Sequence, residues 1–143
     1  MSLELERAKE ILAQTGSTCV LCRDEIVYTT AQRGVSPLLI WLQSGVDTCG
    51  FSAADKVVGK AAALLYCLLG VRRVHGNVMS DAAVKVSRRN GIEAYWDRLT
   101  DGIRNRTNTG PCPMEVATAA IDIPEQALTV ILAKLQENNR SAN

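Results

Sequence analysis

The amino-acid sequence predicts an α/β protein of three α/β/α layers, with a small mixed sheet of about four strands between helices. Three observations lead to that expectation. Segments rich in Val, Ile, Thr and Tyr alternate with segments of helical period. The run Ala61–Leu69 carries no charge on any face, and strand, helix and strand follow one another between Val71 and Trp96. A helix without a polar face is buried all round, and a strand–helix–strand unit makes a parallel pair with a right-handed crossover.

The elements can be justified in order. Leu3, Leu5, Ala8, Ile11 and Leu12 have the spacing of a surface helix, and Gly16 ends it, so 1–16 is an N-terminal helix. Thr18–Cys22 and Glu25–Thr30 flank Arg23-Asp24 and read as a hairpin, although the turn lacks its preferred glycine. Ser36 and Pro37 open a short helix to about Gln43. Ser52–Gly70 then reads as one helix of about 17 residues, roughly 25 Å long. Ser52 is its N-cap, Asp55 closes the capping box, and Gly70 terminates it. Val71–Met79 is a strand, Ser80 or Asp81 caps a helix to Asn90, and Ile92–Trp96 is a strand. After a basic loop from Arg104 to Gly110, helices begin at Pro113 and near Asp122, the last running to about Gln136, with 138–143 a loose tail.

Bulk properties narrow the function classes. The length of 143 residues, with no linker-like stretch, suits one domain over 1–143. A net charge of +1 gives no argument for nucleic acid or an acidic membrane, and no basic-aromatic interleaving suggests a nucleic-acid platform. The uncharged run Ala61–Val71 is too short to cross a bilayer, and the charged start is not a signal peptide. Five cysteines, an odd number, point to reduced thiols and a cytoplasmic location. There is no glycine-rich phosphate loop or nucleophile elbow, and no cofactor is expected.

The candidate chemistry starts from Lys56 and Lys60. Four apart on one helix, they would stand side by side near its positive end, with Gly59 opening a gap between them. An anion seated there explains the crowding; two solvated surface lysines are the plain alternative. Asp55 is a structural cap or a group that orients Lys56. Ser80 is an N-cap or a ligand contact, Arg33 forms a salt bridge or binds ligand across the helix end, and Arg104 and Arg106 are anion contacts or solvated loop charges. Cys112, near a helix start with arginines nearby, is a candidate nucleophile, a site-lining thiol or a packing cysteine. Cys19 and Cys22, three apart in a strand, point to opposite faces and suit neither metal nor disulfide, so no metal site is assigned.

Three segments carry a resemblance. Arg33-Gly34-Val35 with Pro37-Leu38, the stretch Ala54–Ala63, and Asn105-Arg106 through Gly110 to Cys112-Pro113-Met114-Glu115 resemble a bacterial and archaeal family of uncharacterised proteins, from about Thr18 to Leu135. That family carries a domain-of-unknown-function label and has a cytidine-deaminase-like fold. Deaminases of that superfamily hold zinc through a His-x-Glu and a Pro-Cys-x-x-Cys at two helix starts. Here those starts read Ala54-Asp55-Lys56 and Ser80-Asp81-Ala82-Ala83, without thiolate or imidazole. The resemblance therefore implies a deaminase scaffold with a replaced site, and a homo-oligomer, with Trp41 an exposed contact.

The expected function is zinc-free binding of an anionic, nucleotide-like small molecule. The ligand contacts would be Lys56, Gly59, Lys60, Ser80, Arg33 and Arg106, and the chemical groups of an enzyme would be Asp55, Lys56 and Cys112. A non-catalytic regulatory or protein-interaction module is the alternative.

Overall fold

The computed structural model describes residues 2–141. Helix α1 (Leu3–Gln14) precedes a hairpin of β1 (Cys19–Arg23) and β2 (Ile26–Thr30), followed by α2 (Ser36–Ser44). Then come β3 (Ser52–Val58), α3 (Lys60–Leu69), β4 (Arg73–Ser80), α4 (Asp81–Arg89) and β5 (Glu93–Thr100). Two helices close the chain, α5 (Pro113–Thr118) and α6 (Pro124–Ser141). The last therefore enters the stretch expected as a loose tail, whose final two residues lie outside the described range. The five strands form one sheet in the order β2-β1-β3-β4-β5. β1 is antiparallel to β2 and β3, whereas β3–β4 and β4–β5 are parallel.

Alternation along the strands explains the layers. Val20, Cys22 and Ala54 point to one face and join Ala8 and Leu12 of α1. Leu21, Ala53 and Val74 point to the other, into the larger core made with α3 and α4. Ser52, Ala53 and Ala54 are fully buried, as a central strand with helices on both sides requires, and their small side chains let those helices approach. Cys19 and Cys22 go to opposite faces, as their spacing dictates. The hairpin turn lacks glycine because Asp24 takes the left-handed conformation itself, with φ 51°. Its amide donates to Glu4 (2.9 Å) and its carbonyl accepts from Arg7.

The main departure from the sequence expectation lies at Ser52–Val58. This stretch is the central strand β3, which raises the strand count from the four expected to five, and not the first half of a long helix. Ser52 caps nothing; its hydroxyl accepts from Arg73 at 3.2 Å. Pairing to strands on both sides overrides the helical preference of Ala-Ala-Asp-Lys. Trp41 is likewise half-buried, its ring 6.4 Å from that of Tyr28, and not the exposed contact expected.

Gly59 is the N-cap of α3 and brings no side chain to the helix start. The cap comes from Glu115 on α5, which accepts from the amides of Lys60 (2.6 Å) and Ala61 (3.0 Å). A Cβ on Gly59 would sit 2.2 Å from the nearest Glu115 oxygen, so glycine is needed for this close approach. Glu115→Ala should cost about 1–3 kcal/mol of stability in urea unfolding, the usual loss for a charged bond to buried donors. Gly59→Ala should be destabilising, and less so in a Glu115→Ala background, a non-additivity that a double-mutant cycle reads directly.

Candidate functional site

A cavity of about 860 Å³ opens at the ends of β3 and β1, between the Gln32–Pro37 segment and the strap leading into α5. The strap is the basic loop, folded back on itself by a bridge between Arg104 and Pro111, with the Cys112 amide donating to the Ile103 carbonyl at 2.9 Å. Asp55 lies half-buried in the cavity lining, and four basic residues, Lys56, Arg33, Arg104 and Arg106, are also among the residues that line it. Among the described residues none of the four has an ion-pair partner, although Arg104 donates to Asn108 within the strap (2.5 and 3.2 Å).

Asp55 faces Cys19 across the β1–β3 pair, and Tyr66 descends from α3 onto both. The Tyr66 hydroxyl donates to Asp55 Oδ2 at 2.6 Å and lies 3.0 Å from Cys19 Sγ. Burial pushes the Tyr66 and Cys19 groups well above their ordinary pKa, so both stay protonated. With its only proton committed to Asp55, the Tyr66 oxygen is left to accept from the Cys19 thiol. The chain thus runs one way, S–H to O–H to carboxylate. Burial also raises Asp55 from 3.8 to about 6; the Tyr66 hydrogen bond and the nearby Val57 and Lys56 amides oppose the shift but do not cancel it.

The other acidic residue at the cavity, Glu115, has both oxygens on α3 amides and is not free for a ligand. Cys112 lines the cavity, half-buried, as the N-cap residue of α5.

Of the residues singled out from sequence, Asp55, Lys56, Arg33, Arg106, Cys112 and Gly59 share this cavity. Gly59 does so without the expected gap, since Glu115 fills it. Lys56 stands on β3, not on a helix, so the paired-lysine helix tip does not exist. Lys60 turns away, its ammonium 2.9 Å from the Ala119 carbonyl and 3.3 Å from Asp122. Ser80 is buried as the N-cap of α4, accepting from the Ala83 amide at 3.1 Å, and does not line the cavity. Sequence reasoning missed Tyr66, which lies in the helix expected to be buried all round, and Cys19, read only as a strand cysteine unsuited to metal or disulfide. The available signal was a phenol inside an otherwise apolar helix, since a buried tyrosine hydroxyl wants a partner.

The residues do not fit the zinc that the deaminase resemblance brings to mind. With β3 a strand, the helix starts after β3 and β4 read Gly59-Lys60-Ala61 and Ser80-Asp81-Ala82, which lack imidazole and thiolate. Among the described residues no three His, Cys, Asp or Glu side chains gather as a metal site.

Residues 7–135 match the family described as "TM1506: Domain of unknown function (DUF1893)". The chain belongs to the DUF1893 family. A solved DUF1893 family protein (TM1506) from Thermotoga maritima superposes with a TM-score of 0.85 at 23% identity, covering 94% of this chain and 92% of that one. At that identity the likeness shows the fold. No curated protein matches this DUF1893 chain.

The raised carboxyl in this DUF1893 cavity has a measurable consequence. The folded chain keeps the Asp55 proton to about pH 6 whereas the unfolded chain loses it near 3.8, so the group subtracts stability as pH rises through this window. Asp55→Asn removes that loss and keeps an acceptor for Tyr66. In urea unfolding the variant should match the parent at pH 4 and exceed it by about 1–3 kcal/mol at pH 7. Equal stabilities across the range would mean that the carboxyl is not desolvated.

Proposed function

We propose that this protein binds a small anionic molecule, nucleotide-like in size, in the cavity beside Asp55. The cationic wall of Arg33, Lys56, Arg104 and Arg106 takes its charged end. One observation carries the reading: four cations without ion-pair partners among the described residues line a space of about 860 Å³, within the range of small-molecule sites. Among the described residues, the acidic groups lining the same space are Asp55, raised toward its neutral form, and Glu115, already held by backbone amides. Arg33 and Arg106 suit phosphate or carboxylate through their planar donor forks, and Lys56 adds a compact charge.

This placement differs from the one expected from sequence. The helix dipole of α3 is answered inside the protein by Glu115, so the anion site moves from the helix tip to the loops above the sheet. A cytidine-deaminase-like scaffold belongs to the same proposal, with no step passing through zinc. Association into a homo-oligomer and a cytoplasmic location are compatible with it. Among the described residues no helix is long and apolar enough to cross a membrane.

The test is thermal unfolding against adenosine 5′-monophosphate, ribose 5-phosphate and inorganic phosphate. Saturable stabilisation is expected, by about 2.7 kcal/mol at a hundred times Kd. Arg106→Ala or Lys56→Ala should weaken it by about tenfold, or 1.4 kcal/mol. Lys60→Ala, whose ammonium is engaged elsewhere, should leave binding unchanged. No response to any anion would favour the non-catalytic module instead.

A further inference from the structure

We propose that Asp55 is a catalytic acid–base residue, exchanging a proton with an anionic substrate held in the cavity, and that Tyr66 is its positioning residue. The inference rests on the anion-binding reading and adds chemistry to it. Its ground is the arrangement of three side chains from three elements. Asp55 of β3 lines the cavity; behind it the Tyr66 hydroxyl fixes Oδ2 at 2.6 Å, and Cys19 backs that hydroxyl at 3.0 Å. Tyr66 and Cys19 are almost wholly buried, so the chain ends on the one member that a ligand can reach. Among the described residues no other side chain bonds to Asp55, which leaves acceptor capacity for a substrate. A proton-transfer group works best when its pKa lies near the working pH, and burial brings this carboxyl to about 6.

The groups around Asp55 are consistent with that role. Tyr66 and Cys19 lie behind it, Lys56 follows it on β3, and Arg33, Arg104, Arg106, Cys112 and Glu115 line the same cavity. On β4 its neighbour is Gly76, and His75 pairs with Ala54, whose side chain points to the opposite face. The wall can therefore hold a substrate anion while one carboxyl works on the rest of the molecule.

The step balances without a co-reactant. The Asp55 carboxylate takes a proton from a C–H, N–H or O–H of the substrate, and the bonding pair stays on the substrate. The carboxylic acid then delivers a proton to a second substrate atom and is a carboxylate again. The net change is a proton moved within the substrate, and nothing is oxidised or reduced. The substrate class is a small phosphorylated or carboxylated compound with such a mobile proton.

Glycidol phosphate tests this without knowledge of the natural substrate, since it joins an anion to a strained epoxide. A carboxylate oxygen attacks a ring carbon, the ring C–O bond breaks, and the ring oxygen takes a proton from water. The ester left behind is located by peptide mass spectrometry. One ester per chain is expected, on Asp55, forming faster as pH rises through about 6 and levelling above it. Inorganic phosphate should protect, and the folded Asp55→Asn chain should stay unlabelled. Tyr66→Phe should still label, with its pH midpoint moved upward because the hydrogen bond favouring the carboxylate is gone.

Labelling on Cys112 or Glu115 in place of Asp55, no labelling, or a rate flat from pH 5 to 8 would overturn the proposal. An unmoved midpoint in Tyr66→Phe would overturn the positioning role. If uncharged glycidol esterifies Asp55 as fast as its phosphate, the anion-binding reading fails while the acid–base assignment stands.

Discussion

Glu115 reaches back across the fold to the first two amides of α3, and much of the architecture follows from that contact. Every helix start leaves amides without partners, and a serine or aspartate just before the helix usually answers them. Here the preceding residue is Gly59, so the answer must come from elsewhere in the chain. It comes from a residue more than fifty positions later, at the first turn of α5. The bond fixes where α5 lies and therefore how the strap before it crosses the ends of β1 and β3. With Met114 buried in the main core, the bond ties the strap carrying Arg104, Arg106 and Cys112 to the end of the sheet. The cap thus determines the wall of the cavity as well as the stability of a helix.

This long-range cap also explains how far the fold was legible in the sequence. Hairpin, parallel strands, α4 with its Ser80 cap and the helix at Pro113 all follow from local pattern, because local residues complete each of them. Ser52–Val58 misled because Ala-Ala-Asp-Lys carries helical propensity and Ser52 resembles a cap. The deciding facts were the neighbouring strands, which no local window contains. Val57-Val58-Gly59 was the available warning, two β-branched residues and then a breaker. Read as strand end and turn, it would have moved the helix start to Lys60. The candidate site suffered from the same error. Asp55, Lys56, Arg33, Arg106 and Cys112 do share a cavity, whereas Lys60 and Ser80 were grouped with them only by an imagined helix end. Tyr66 was hidden by its own burial, since a residue can belong to the core by its ring and to the site by its hydroxyl.

The two carboxyls at the cavity show how context divides one chemistry into two jobs. Glu115 sits at the positive end of a ten-residue helix and accepts two amide bonds. Asp55 sits midway along β3, and the largest influence on it is desolvation, which favours the neutral form. One is therefore occupied as a helix cap. The other, raised to about 6, titrates near the physiological range and lines the cavity.

The position of Asp55 is difficult to explain as a purely structural device. A protein that needed only to hold Tyr66 there could use an asparagine, whose carbonyl accepts the same hydrogen bond without the cost of ionisation in a desolvated strand. The carboxyl is instead kept where it destabilises the fold at neutral pH, with a phenol and a thiol behind it and cations in front. Local rules are broken in this way mostly where a site requires it. The cations sharpen the point. Full ion pairing with one of them would draw Asp55 down toward an ordinary carboxylate pKa, yet among the described residues no such pair forms. Three of the four positive charges, Arg33, Arg104 and Arg106, stand outside the sheet, whereas Lys56 and the titratable group are on β3, so that opposite charges share one space without neutralising each other. A molecule with an anionic end and a mobile proton would satisfy both at once.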